Sequence, residues 1–140
     1  VYITDMGCAN FVTIIALDKQ YYAGNARQAI MACWSMTHAG KWTIVVDGDI
    51  DIFDRGQVEW ALATRVQPHR DIIITPEGET DIDLDPSLHP ERREYPFTRG
   101  SRVGIDATRQ FKGFEFPPQI KPRPEDARKV TARWKEYGLD

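Results

Sequence analysis

Cysteine is scarce in this chain: Cys8 and Cys33 are the only two, and they form no motif. Buried free thiols in a reducing compartment, and with them a cytoplasmic location, are the simpler reading than a disulfide. Histidine is sparse too. His38, His69 and His89 stand far apart with no ligand spacing around them, which argues against a metal site of their own making. No apolar run approaches the length that spans a bilayer. Positive charge is not in excess, with 18 Lys and Arg against 21 Asp and Glu and a net charge of -3. A nucleic-acid partner, which needs clustered positive charge, is disfavoured. Gly24, Gly40 and Gly48 make no phosphate-cradling series, and there is no Gly-x-Ser-x-Gly. The opening Val1-Tyr2-Ile3-Thr4-Asp5 has neither an initiator Met nor a basic-then-apolar signal pattern. The expectation is a fragment or separated subunit of a longer polypeptide.

What is present is enough for one ordinary soluble domain: 140 residues, 41% hydrophobic and 28% charged. Asn10 to Leu17 reads as a strand buried on both faces. A helix follows, with Asn25 as its cap, Gln28 at the box position, and an apolar face of Ala26, Ala29, Ile30, Cys33 and Trp34. Trp42 to Val46 is the central strand. The next helix takes Asp54 as cap and Gln57 at the box position, turns Val58, Ala61, Leu62 and Val66 inward, and stops at Pro68. Asp71 to Thr75 is a third strand, ended by Pro76. Strands alternating with helices predict crossovers and an α/β fold: a layered, mostly parallel sheet with flanking helices. From Pro76 to Pro124 the chain is rich in turn residues, a long irregular segment in which only Arg102 to Thr108 looks ordered. Pro124, Glu125 and Asp126 then open a C-terminal helix. Its Ala127, Val130, Trp134 and Tyr137 share one side, suited to packing on its own domain or on a second subunit.

The aspartates after the central strand, Asp47, Asp49, Asp51 and Asp54, cannot share its core. The carboxyl end of a strand is where open α/β sheets put their sites. A calcium loop starting at Asp47 fails, because its sixth and twelfth positions are Ile52 and Val58 rather than Gly and Glu. Turn formation, capping and salt bridges to Arg65 or Arg70 account for Asp51 and Asp54; Asp47 and Asp49 are harder to dismiss. Trp60 lies off its helix's inward stripe and is a candidate to pack outside that helix's own sheet. Taken alone, these residues supply a scaffold, an acidic corner and a lining segment, without a complete catalytic set.

Ile44-Val45-Val46-Asp47-Gly48-Asp49-Ile50-Asp51-Ile52-Phe53-Asp54, then Trp60-Ala61-Leu62-Ala63-Thr64-Arg65 with Pro68, and Gly104-Ile105-Asp106-Ala107-Thr108 resemble the C-terminal domain of the UbiD-type decarboxylases. That family usually has Val-Val-Asp-Glu-Asp-Ile-Asp, Trp-Ala-x-x-Thr-Arg and Lys-Met-Gly-Ile-Asp-Ala-Thr. Gly48 therefore stands in place of Glu, and Arg102-Val103 in place of Lys-Met. The resemblance runs from about Asn10 to Thr108. It implies a UbiD-like domain over 1–110 and an extension with a packing or oligomerisation helix over 111–140. It also implies structural motif positions at Asp47, Asp49, Asp51, Trp60, Thr64, Arg65, Gly104, Asp106 and Thr108.

The implied activity is reversible, prenylated-flavin-dependent decarboxylation or carboxylation of an aromatic or unsaturated acid, with carbon dioxide as the small partner. The prenylated FMN, a divalent metal such as manganese and potassium would be held by a partner domain or larger subunit of a homo- or hetero-oligomer, through an Asn, a His and a Glu of that domain. An Arg and two Glu residues, also on that domain, would handle the substrate carboxylate and the proton. No catalytic residue and no metal ligand is then expected in this chain. Asn10 and Phe11, and Ile82 and Leu84 around Asp83, fall near positions that face the substrate in relatives. Two other readings compete: a non-catalytic assembly module of the same fold, and a stand-alone small-molecule binder using Asp47 and Asp49.

Overall fold

The computed structural model describes residues 1–5, 9, 11–36, 40–76, 78–79, 85–89, 99–109, 111, 115–118 and 120–138. Asn10, Ile82, Asp83 and Leu84 lie outside the described residues, as do Cys8 and His38. In chain order the elements are β1 (Tyr2–Ile3), β2 (Val12–Leu17), α1 (Asn25–Met36), β3 (Trp42–Asp47), α2 (Arg55–Arg65), α3 (Pro68–Asp71) and β4 (Ile72–Ile74). There follow β5 (Gly78–Glu79), β6 (Arg99–Gly100), β7 (Val103–Ala107) and α4 (Pro124–Ala132), with a 3-10 turn at Trp134–Tyr137.

Five strands form one open sheet in the order β1-β2-β3-β7-β4. Its centre is parallel: β2 pairs with β3 from Val12↔Trp42 to Leu17↔Asp47, and β3 with β7 from Trp42↔Val103 to Val46↔Ala107. Both edges are antiparallel, β1 on β2 and β4 on β7. The β5–β6 ladder is a separate pair. Alternation along the strands builds a layer on each face. On one face Ile14, Ile44, Val46 and Ala107 meet Val58 and Ala61 of α2. On the other Ile15 and Val45 meet Ala26 and Ile30 of α1, with Ala29, Cys33 and Trp34 against them. Both helix stripes expected from periodicity are the ones that pack.

Three local expectations need correction. The Ile72–Ile74 strand does not continue a parallel crossover pattern; it runs antiparallel beside β7. Pro68 does not stop α2, which has already ended at Arg65. It opens the short α3, which takes Asp71 out of the strand. Asn25 is the first residue of α1 rather than its forward cap: its side-chain oxygen accepts from the Tyr21 and Tyr22 amides at 2.7 and 3.0 Å. Asp54 caps α2 as expected, accepting from the Gly56 and Gln57 amides. Gln57 reaches the Asp51 amide and the Asp54 carboxylate instead of closing a reciprocal box.

The residues at the family's motif positions have plain structural reasons. A Cβ on Gly104 would sit 2.6 Å from Cγ2 of Ile30, which is fully buried. A Cβ on Gly48 would come within 3.2 Å of the Asp18 backbone, so glycine suits the close approach of two strand ends. Arg102 is buried and donates from Nη1 to the Trp34 carbonyl at 3.0 Å, satisfying an end carbonyl of α1. The C-terminal helix forms with Pro124 in its first turn, but it buries no residue among those described: Val130, Trp134 and Tyr137 are 44%, 46% and 49% exposed. Among the described residues no helix is long and apolar enough to cross a membrane.

Candidate functional site

Because β2, β3 and β7 run parallel, their carboxyl ends lie together, and the antiparallel β4 brings Asp71 of α3 to the same end. The acidic corner forms here. Arg65, at the last turn of α2, has a fully buried side chain. Its Nη1 donates to Asp47 Oδ2 and Asp49 Oδ1, each at 3.1 Å, and Nη2 to Asp49 Oδ2 at 2.8 Å. The fork on Asp49 is bidentate, the geometry in which a guanidinium holds a carboxylate best. The guanidinium also lies 5.1 Å from the ring centre of Trp60 and 5.5 Å from that of Phe116. These two rings meet edge to face at 6.3 Å. Trp60 therefore reaches the 115–118 segment through Phe116 and also packs against the core cluster of its own sheet. Thr64 bonds its own helix, Oγ1 to the Trp60 carbonyl at 2.7 Å.

Sequence reasoning missed two members of the corner. Arg109 donates its amide to Asp47 Oδ2 at 2.7 Å and its Nη2 to Asp49 Oδ2 at 2.5 Å. Gln20 bridges Asp47 Oδ1 at 2.8 Å and the Arg109 carbonyl at 3.0 Å. The one signal was position: each lies just beyond a strand's carboxyl end. Of the two arginines offered as partners for the aspartates, Arg65 takes that role, and Arg70 binds its neighbour Asp71 at 2.6 Å. Hydrogen bonds from Arg65 hold the Asp49 carboxyl below the usual range against the opposing effect of burial, with Arg109 assisting. Burial pushes Asp106 the other way. Its Oδ1 accepts from the Thr108 hydroxyl at 2.6 Å and amide at 3.0 Å, which oppose that rise, while Asp71 and Asp47 add to it. Asp51 accepts from the Phe53 amide, a local turn.

The opposite end of the sheet carries a different set. Phe11 lies where β2 begins, its carbonyl accepting from the Trp42 amide at 2.8 Å. A hollow of about 300 Å³ is walled by Phe11, Val12, Trp42 and Pro86, with Lys41, Asp85 and Ser87 on its rim. Phe11 is the one proposed substrate-facing residue that can be positioned, and Leu84 is the chain neighbour of the buried Asp85. A second hollow, of about 350 Å³, lies between β1, β2 and α2. Asp5, Arg55 and Glu59 stand on its lining beside the apolar side chains, and the buried Thr4 hydroxyl on its wall finds no hydrogen-bond partner among the described residues.

The charges at the carboxyl end are mutually engaged. Asp47 and Asp49 are held by arginine, Asp71 by Arg70 and the Gln67 amide, and Asp106 by Thr108. Among the described residues no three His, Cys, Asp or Glu side chains converge as a metal set. The corner therefore does not fit a flavin with its cations. What this arrangement does chemically is lock α2, the 115–118 segment and three strand ends together.

Residues 1–107 match the model of the 3-octaprenyl-4-hydroxybenzoate carboxy-lyase C-terminal domain. An uncharacterized protein of Aeropyrum pernix is 37% identical over 128 residues, 87% of this chain and 25% of its own length. Among solved structures, the UbiD-class enzyme HmfF from Pelotomaculum thermopropionicum, in complex with FMN, aligns with a TM-score of 0.75. It is 29% identical over 95% of this chain and 28% of that one. The Sedimentibacter hydroxybenzoicus vanillic acid decarboxylase in closed form gives a TM-score of 0.63 and 30% identity over 91% of this chain and 26% of that one. The chain spans about a quarter of the length of these relatives. With three motifs in order along the chain, and a family model covering 1–107, the chain belongs to the UbiD family, as a C-terminal domain of that kind.

Proposed function

We propose that this chain is the C-terminal part, or a small subunit, of a non-oxidative decarboxylase or carboxylase acting on an aromatic or α,β-unsaturated acid. Its role is to wall the substrate side and support assembly. Prenylated FMN, with manganese or a similar divalent ion and potassium, is held by the larger flavin-binding part of the same cytoplasmic, oligomeric enzyme. The division into a domain over 1–110 and an extension over 111–140 belongs to this reading. So does the assignment of Asn10, Phe11, Ile82 and Leu84 to the substrate wall.

One observation carries it: the alignment with HmfF over nearly the whole chain, at a TM-score of 0.75. The amino-end hollow supports it chemically. An apolar wall of Phe11, Val12 and Trp42 suits a flat ring, orients it, and withholds water from one side of the reacting carbon. The cofactor, when bound, would supply the sink for the electron pair that departing carbon dioxide leaves on the substrate. No residue of this chain is given a catalytic role.

The test is the native, full-length enzyme, purified and scanned for flavin absorbance, then incubated with a panel of aromatic and unsaturated acids while carbon dioxide release is followed. Flavin absorbance with turnover of at least one acid is expected. A colourless complex that releases no carbon dioxide would overturn the reading. If the flavin-binding part is equally active without this chain, an assembly role replaces it.

A further inference from the structure

We propose that Lys41, Asp85 and Ser87 are positioning residues that set the width of the amino-end hollow, and through it which acids the enzyme accepts. This rests on the proposed reading of that hollow as the substrate side.

The geometry is a closed clamp. Lys41 immediately precedes the central strand, and its carbonyl accepts from the Val103 amide at 2.8 Å, so its backbone belongs to the rigid end of the sheet. Its ammonium donates to both oxygens of Asp85, at 2.9 and 3.2 Å, and to Ser87 Oγ at 2.9 Å. Asp85 is only 4% exposed, and its Oδ1 also accepts from the Ser87 amide at 2.9 Å and hydroxyl at 2.7 Å. Leu88 closes the turn with its amide on the Asp85 carbonyl. Burial alone would raise the Asp85 carboxyl, but the hydrogen bonds from Lys41 and Ser87 outweigh it and hold it below the ordinary carboxylate value.

The ion pair is half enclosed, with the Asp85 side chain 5% exposed and that of Lys41 25%, so the carboxylate is the charge that depends on its partner. The clamp spans 44 residues of sequence and fixes the Asp85–Ser87 turn opposite Phe11 and Trp42. Trp42 is 43% exposed, a large aromatic face turned to the hollow at the start of the central strand. The clamp's charges are consumed internally, so the wall it presents is apolar and its spacing is fixed. That is a device for selecting ring size rather than for handling a proton.

The experiment uses the full-length, flavin-loaded enzyme and its Lys41→Met, Lys41→Arg, Asp85→Asn and Ser87→Ala variants. Each is assayed on a series of acids from one ring to two, with flavin content and Tm recorded. Binding of a non-reactive aromatic acid is measured by calorimetry. Loss of a buried, charge-assisted hydrogen bond predicts KM raised about tenfold for the acid the wild type prefers. Acids of another width change less, kcat stays within about twofold, and Lys41→Arg recovers much of the loss, since it restores the charge.

Equal changes for every acid, an unchanged profile, or losses that follow Tm and flavin content would each overturn the clamp's role in selection. Ser87→Ala removes one hydroxyl and keeps the ion pair. It serves where a charge variant fails to fold: it shifts the same preference in the same direction, and an unaltered preference overturns the inference. A wild-type enzyme inactive on all acids refutes the proposed function instead, which separates the two failures.

Discussion

Arg65 is the cation that Asp47 and Asp49 share, and its side chain is fully buried while Asp49 remains 39% exposed. Arg65→Met keeps the stem but leaves Asp47 and Asp49 held by Arg109 and Gln20 without the buried guanidinium between them. It is expected to lower stability by about 3 kcal/mol, the low end for breaking an enclosed pair because Asp49 is still partly solvated. Urea denaturation reads it, and Arg65→Lys should recover only part, lacking the two-pronged fork. Two pH effects oppose each other. The depressed carboxyls of Asp49, Asp71 and Asp85 add stability that is present above their ordinary 3.8 and lost as pH falls through their folded values. Asp106, raised by burial, behaves in reverse: its contribution is full below 3.8 and is lost as pH climbs through its folded value. A denaturation series from acid to neutral pH should therefore show Asp49→Asn with a shallower acid limb. Asp106→Asn should be stabilised relative to wild type at neutral pH and not in acid. At this scale local rules were readable: Asp54 as a cap and Asp51 as a turn residue follow from their neighbours. Gln20 and Arg109 did not, because they reach Asp47 across 27 and 62 residues.

Helix α1 lies against β3 and β7, and its seat on β7 depends on Gly104 having no side chain. Gly104→Ala forces its methyl into Ile30, which has nowhere to move, and should cost about 1–3 kcal/mol by overpacking. Thermal unfolding measures it, and a paired Ile30→Val should return little of the loss, since it removes Cδ1 at 3.1 Å but keeps Cγ2 at 2.6 Å. Apolar spacing made both helices legible, since Ala26, Ile30, Val58 and Ala61 repeat at helical intervals and are the residues buried. Strand direction was not legible. Ile72-Ile73-Ile74 is equally apolar whichever way it runs, and the reversal is made by the four-residue α3, whose Pro68 looks in sequence like a stop. The amino-end clamp was hidden for a related reason: a lone Lys before a strand and an Asp-Pro-Ser turn each have commonplace readings until a long connection brings them together.

Over the whole molecule, the two-faced sheet is complete without the C-terminal helix, which buries none of its own residues in the described structure. Deleting 124–140 from the full-length enzyme should therefore shift the unfolding of this domain by no more than about 2 °C, a small fraction of a kcal/mol-scale change. A larger fall would mean that Val130, Trp134 and Tyr137 are seated on another part of the assembly. The order of the strands has a further consequence, for synthesis. Strand β3 is the middle of the sheet, yet one of its two neighbours, β7, is separated from it by 55 intervening residues, and β4 is made before the strand it must pair with. Until residues 103–107 leave the ribosome, Thr43 to Val46 present an open ladder, and three isoleucines wait with no strand to join. The nascent domain therefore passes through a stage at which its most apolar backbone is its most adhesive, and a chaperone's hold would be needed most just before Gly104 arrives.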